Sequence, residues 1–181
     1  GGRTASDSFT LTVNAVNDTP TLAGDVIGTP SDPVLDTQTD VLLFANISIG
    51  DVDQGRPGNE TLTVTVTQNA TSQGLGTFEG YDTGDIVLTG TPASVTTQIR
   101  ALRFDPAQNR APVGQDAVFT VTITVRDAAG ATAANSGTPR NVHVRSSNDN
   151  PVIIASLARS TVPDDAESKP FPVAISDPDP L

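Results

Sequence analysis

Two short stretches carry the oxygen-bearing side chains that a hard cation takes as ligands. Asn17-Asp18-Thr19-Pro20 stands near one end of the sequence and Asn148-Asp149-Asn150-Pro151 near the other. Pro20 and Pro151 are 131 positions apart, close to the length of one ordinary domain. An Asp-x-Asp pair follows each: Asp51 and Asp53 after the first, Asp177 and Asp179 after the second. The spacing from Asp18 to Asp51 is 33 residues and from Asp149 to Asp177 it is 28. Ca²⁺ binds about six to eight oxygens drawn from carboxylates, amides, carbonyls and water. An oxygen-rich linker, a proline and a later aspartate pair, repeated at domain spacing, imply a tandem array with metal at its joints. Asp also caps ordinary turns, and for Asp36, Asp105, Asp177 and Asp179 the residue type alone leaves ligand and cap both open.

The elements that must position these residues read as β-strands. Phe119, Val121, Ile123 and Val125 alternate with Thr120, Thr122 and Thr124. Leu62, Val64 and Val66 alternate with threonines in the same way. Period-two apolar spacing marks strands with one buried face. An opening strand is expected over 22–27, interrupted by Gly24. A turn is expected over 32–36, a buried strand over the apolar run 41–49, and short strands over 75–79 and 85–88. In 92–104 the period changes: Val95, Ile99 and Leu102 predict a short helix over about 92–101 with Ser94 as N-cap, then a strand. Val142 and Val144 mark the last strand. The sum is an all-β fold, an antiparallel Greek-key β-sandwich of about seven strands with one short helix.

Three segments follow. Residues 1–19 read as the last strand and linker of a preceding module, because Phe9, Leu11 and Val13 alternate with threonine but have no sheet of their own. Residues 20–149 read as a complete module. Residues 150–181 read as the start of a following module, with Ile153 and Ile154 in one strand and Phe171, Val173 and Ile175 in the next.

The formal net charge is −11. The acid is mostly Asp, 18 against 3 Glu, and Asp keeps its carboxylate close to the backbone, where it suits turns and hard-cation sites. Such acidity argues against nucleic acid and against anionic membrane surfaces. The absence of Cys excludes disulfides, thiolate metal sites and Cys nucleophiles. No apolar run is long enough to span a bilayer.

The order of these motifs resembles the cadherin-like modules of large extracellular proteins. Asn148-Asp149-Asn150-Pro151 is similar to the interdomain linker of that family. Asp51-Val52-Asp53-Gln54-Gly55 is similar to its Asp-x-Asp loop, and Asp127 in Asp-Ala-Ala-Gly to its Asp-x-x-Gly turn before the final strand. The acidic residue of the Pro-Glu-Asn motif maps to Asp36, and Val162-Pro163-Asp164-Asp165 matches that motif in the next unit. The Leu-Asp-Arg-Glu motif is absent, and its nearest counterpart is Asp105 in Phe104-Asp105-Pro106. The segment from Pro92 to Pro106, a short helix leading to Leu-x-Phe-x-Pro, is more similar to the longer cadherin-like repeats of bacterial surface adhesins and to proteoglycan-type repeats.

The resemblance implies Ca²⁺ at two joints. The first would use Asn17, Asp18, Asp51, Asp53 and Asp127. The second would use Asp36, Asp105, Asn148, Asp149, Asn150, Asp177 and Asp179. It also implies a stiffened spacer in a cell-surface or secreted adhesin. Its partners would be the neighbouring modules of the same chain and a cell-surface or matrix ligand, without nucleic acid and without direct membrane insertion.

Catalysis is not expected. His143 is the only histidine, set in an alternating strand and expected to face solvent. No nucleophile elbow or phosphate-binding loop is present. An EF-hand loop begun at Asp51 would place Gly55 at its fifth position and Leu62 at its twelfth, where ligands are required. Two other readings remain open: a carbohydrate- or self-binding sandwich, weakened by the lack of Trp and the single Tyr81, and an accessory domain of a secreted polysaccharide-degrading enzyme.

Overall fold

The computed structural model describes residues 1–14, 16–53, 61–68, 74–81, 84–154 and 174–179. Gln54, Gly55, the motif match at 162–165, Phe171 and Val173 lie outside these residues. In chain order the elements are β1 (Thr21–Ala23), β2 (Val34–Leu35), β3 (Ser48–Gly50), β4 (Leu62–Gln68), β5 (Gly76–Phe78), β6 (Ile86–Gly90), α1 (Pro92–Arg100), β7 (Phe104–Pro106), β8 (Asp116–Arg126), β9 (Pro139–Arg145), β10 (Val152–Ile154) and β11 (Ala174–Ser176). The fold is mostly β, as expected.

The two threonine-alternating runs form the centre of a five-stranded sheet ordered β2-β9-β8-β4-β6. Strand β4 buries Leu62, Val64 and Val66, and β8 buries Phe119, Val121, Ile123 and Val125. Their register pairs Val64 with Val125 and Val66 with Ile123, so both apolar faces meet one core. Two ribbons, β1-β3 and β5-β7, contribute to the same core. Phe104 of β7 packs at 4.7 Å and a tilt of 41° against Phe119 of β8, and Phe78 of β5 lies 5.3 Å from Phe104 and stacks at 5.6 Å on Phe44. All four rings are buried. Such ring pairs add to the stabilisation from burial itself.

Several expectations are corrected. The sheet is not wholly antiparallel: edge strand β2 pairs in parallel with β9, Val34 opposite Val144 and Leu35 opposite Arg145. The segment expected to be a turn over 32–36 thus contains β2. Residues 41–49 are not one strand. Leu43, Phe44 and Ile47 are all fully buried, but not through strand pairing. Tight turns supply the geometry instead: Ala45 N–H donates to the Leu42 carbonyl and Ile47 N–H to that of Phe44. Only the end of the run enters β3.

The opening strand stops at Ala23, because Gly24 takes φ +86° and a Cβ there would strike the Asn46 carbonyl. Helix α1 forms as expected, but its N-cap is Thr91, not Ser94. Pro92 occupies the first turn, where a missing N–H is harmless, and the Thr91 hydroxyl accepts the Ser94 amide. Residues 9–13 form no strand. Phe9, Leu11 and Val13 are 90, 76 and 81% exposed, since a lone strand has no ladder to join. His143 is half-buried rather than free in solvent, with Nδ1 3.4 Å from Asp116.

Removing the central ring should be costly. Phe104→Ala is expected to lower unfolding free energy by about 3–5 kcal/mol in a denaturant melt. Phe9→Ala, an exposed position, should change it by less than about 0.5 kcal/mol.

Candidate metal centre

Strand register sorts the acidic residues into two groups at opposite poles of the sheet. Thr63, at the start of β4, pairs with Arg126, at the end of β8. Asp127 therefore emerges on the side where the chain enters β4 from Asp53. Thr21 pairs with Gly50, which sets Asp18, just before β1, beside Asp51, just after β3. Asp116, at the other end of β8, pairs with Arg145. The parallel β2–β9 pairing sends both strands out at that second pole, so Asp36 leaves beside Ser146 and the following linker. The eleven residues of β8 separate the poles by about 35 Å at 3.2–3.4 Å per residue.

The first group is closed by direct hydrogen bonds. Asp18 N–H donates to Asp53 Oδ2 at 2.7 Å, and Asp53 N–H donates to Asp51 Oδ1 at 2.9 Å. Asn17 Nδ2 donates to Asp127 Oδ2 at 2.9 Å and to the Asp18 carbonyl at 3.1 Å. Ala131 N–H donates to Asp127 Oδ1 at 2.7 Å. Asp53 and Asp127 are each only 5% exposed. Helix α1 steadies this pole from behind. Thr96 hydrogen-bonds both backbone groups of Ile49, and Arg100 Nε donates to the Ile47 carbonyl, fixing β3 just ahead of Asp51.

The second group repeats the pattern. Asp149 N–H donates to Asp179 Oδ2 at 3.0 Å, Asp179 N–H to Asp177 Oδ1 at 3.1 Å, and Asn148 Nδ2 to the Asp149 carbonyl at 3.0 Å. The ribbon beside it repeats as well: Ile153 pairs with Ile175 in β10-β11 as Leu22 pairs with Ile49 in β1-β3. From the body side, Asp36, 3% exposed, accepts Ser147 N–H at 2.9 Å, the Ser146 hydroxyl at 2.8 Å and Asn109 N–H at 3.1 Å. Asn109 Nδ2 then donates to Asp149 Oδ2 at 3.0 Å. A bidentate pair, Arg145 Nε to Asp116 Oδ1 at 2.7 Å with Nη2 to Oδ2 at 3.2 Å, holds the ends of β8 and β9 together here.

Two expected ligands are not drawn into the second group. Asp105 lies in β7 between the buried Phe104 and Pro106. Its Oδ1 accepts the Asp40 amide at 2.8 Å, capping a residue held at φ +56°. The Asn150 side chain is exposed and meets none of these groups. Asn109, Ser146 and Ser147 join the group without any local sequence pattern that marks them. A left-handed Asn in a loop carries no signal of its own.

Burial raises the Asp36 carboxyl, but hydrogen bonds from Ser147, Asn109 and Ser146 outweigh it and leave its pKa below the ordinary 3.8. Asp127 follows the same balance: burial raises it, and the Asn17 amide with the Ala131, Gly130 and Ala129 N–H groups lowers it further. No described Lys or Arg lies within 4 Å of Asp18, Asp51, Asp127, Asp36, Asp149, Asp177 or Asp179.

The donor set fits a hard cation. It consists of oxygens, and the Asp51 Oδ2 and Asn109 Oδ1 atoms are buried without a hydrogen-bond partner, an arrangement uncommon in folded proteins. Among the described residues no three acidic or imidazole groups converge on one point, so amides, backbone carbonyls and water would complete any coordination shell. Compared with known proteins, the chain matches no family model, no curated protein and no solved structure.

Because the folded pKa of Asp36 is depressed, its contribution to stability is full above the unfolded value and is lost as pH falls through the folded one. Asp36→Asn is expected to lower stability by roughly 1–3 kcal/mol at pH 7. The difference from wild type should shrink below about pH 4, as measured by denaturant melts from pH 7 to 2.

Proposed function

We propose that the chain is a calcium-binding structural module of a tandem-repeat extracellular adhesin, a cadherin-like Greek-key sandwich acting as a stiffened spacer. The observation that carries this reading is the duplicated geometry. The same linker Asn and Asp, the same backbone bond to the second residue of an Asp-x-Asp turn and the same two-stranded ribbon occur at both poles.

Each pole offers a different part of one joint. The first contributes Asp127 of the module that follows its linker, and the second contributes Asp36 and Asn109 of the module that precedes its linker. The flanking segments support the same reading. Leu11 and Val13 stand 131 positions before Val142 and Val144, the buried residues of β9. Ile153 and Ile175 are 64 and 69% exposed, whereas their counterparts Leu22 and Ile49 are 5 and 7% exposed. Both ends thus carry apolar positions that adjoining modules would bury.

Asn17, Asp18, Asp51, Asp53 and Asp127 would hold an ion at one joint. Asp36, Asn148, Asp149, Asp177 and Asp179 would do so at the other. Bound Ca²⁺ would supply positive charge among these carboxylates. The chain's own part is to fix the linker's direction, through the backbone bond from the linker Asp to the turn and the side-chain bonds from the body.

Calcium at about 100 times its dissociation constant should stabilise the protein by ~2.7 kcal/mol, on the order of 10 °C in Tm for a body of this size. Chelation should reverse this and broaden the small-angle scattering envelope. Identical melting and scattering with calcium and with chelator would contradict the proposal.

A further inference from the structure

The geometry points to Asn109, and not Asp105, as the body residue that positions the second linker. Asn109 lies in the loop 107–115 between β7 and β8, at φ +58°, a conformation Asn tolerates better than most residues. Its backbone N–H donates to Asp36 Oδ2 at 3.1 Å and its side-chain amide donates to Asp149 Oδ2 at 3.0 Å. One residue therefore joins a buried carboxylate of the body to the carboxylate of the linker.

The residue type matters. Two carboxylates repel, and Asn109 bridges them without adding charge, its backbone N–H donating to Asp36 and its side-chain amide to Asp149. A Lys or Arg would do the same but would also oppose a cation. The amide oxygen that remains, Oδ1, is buried and accepts no hydrogen bond. It is an oxygen of the kind a hard cation takes. Asn109 thus latches the linker in the cation-free protein and offers an oxygen to the ion when it binds. The second role rests on the calcium reading above, and the first does not.

Two variants separate these roles from folding. Asn109→Gly keeps the left-handed backbone and the bond to Asp36 but deletes the amide. Asn109→Asp keeps an oxygen ligand but cannot donate to Asp149, and it adds a negative charge. Amide exchange of Asp149 N–H, followed by NMR in the chelator-treated 181-residue chain, reads the latch. A Ca²⁺ titration followed at the Asp149 and Ser147 amides reads the ligand, and exchange within β8 reports on folding.

In the cation-free protein both variants should exchange Asp149 N–H about tenfold faster than wild type, with β8 unchanged. Asn109→Gly should weaken Ca²⁺ about tenfold at this joint, while Asn109→Asp should restore or exceed wild-type affinity. Asp105→Asn should alter neither. Wild-type exchange in both variants overturns the latch, and wild-type affinity in Asn109→Gly overturns the ligand role. If wild type itself binds no Ca²⁺, the calcium reading and the ligand role fail together, and the exchange comparison still decides the latch.

Discussion

The arrangement depends on one backbone hydrogen bond, made twice: the amide of the linker aspartate donates to the second carboxylate of an Asp-x-Asp turn. Asp18 meets Asp53 in one copy and Asp149 meets Asp179 in the other. In each turn the first aspartate accepts the amide of the second, an Asx turn that fixes the loop without help from distant residues. The antiparallel ribbon beside it sets the spacing, because Thr21 opposite Gly50 leaves the linker nowhere else to run. A joint of this kind is specified locally, which explains how it recurs although the intervening chain is five residues shorter the second time.

The body between the two poles is built differently. The alternating cores of β4 and β8, and the tilted rings of Phe78, Phe104 and Phe119 packed together, make a stiff centre. The parallel β2–β9 contact directs Asp36 and the outgoing linker to the same end. Helix α1 grips the backbone at Ile47 and Ile49 and so anchors the other end. Asp18, Asp51 and Asp127 gather at one pole and Asp36, Asp149, Asp177 and Asp179 at the other, none of them within 4 Å of a described Lys or Arg. Amides that donate to these carboxylates offset their mutual repulsion, which is why the proposed joint would respond to cations.

Much of this was legible in the sequence where one local pattern decided the outcome. Threonine alternation placed β4 and β8, and the doubled Asn-Asp and Asp-x-Asp placed the joints. Other features depended on tertiary context. The run 41–49 reads as a strand until the core takes up Leu43, Phe44 and Ile47 together. Ser94 looks like a cap until Pro92 shifts the helix start. Asp105 lost its expected place because strand alternation turns it toward Asp40, while Asn109 gained one through partners 73 and 40 residues away. Nothing short-range in the sequence announces such a contact.

We propose that the two poles belong to two separate cation-binding joints of the same kind. Calcium stoichiometry measured by isothermal titration on three proteins tests it most directly: wild type, Asp51→Asn/Asp53→Asn and Asp177→Asn/Asp179→Asn. Each double variant should lose the ions of one joint and keep those of the other, so that the two losses sum to the wild-type total. Wild-type stoichiometry in both variants, or complete loss of binding in either, would contradict the account.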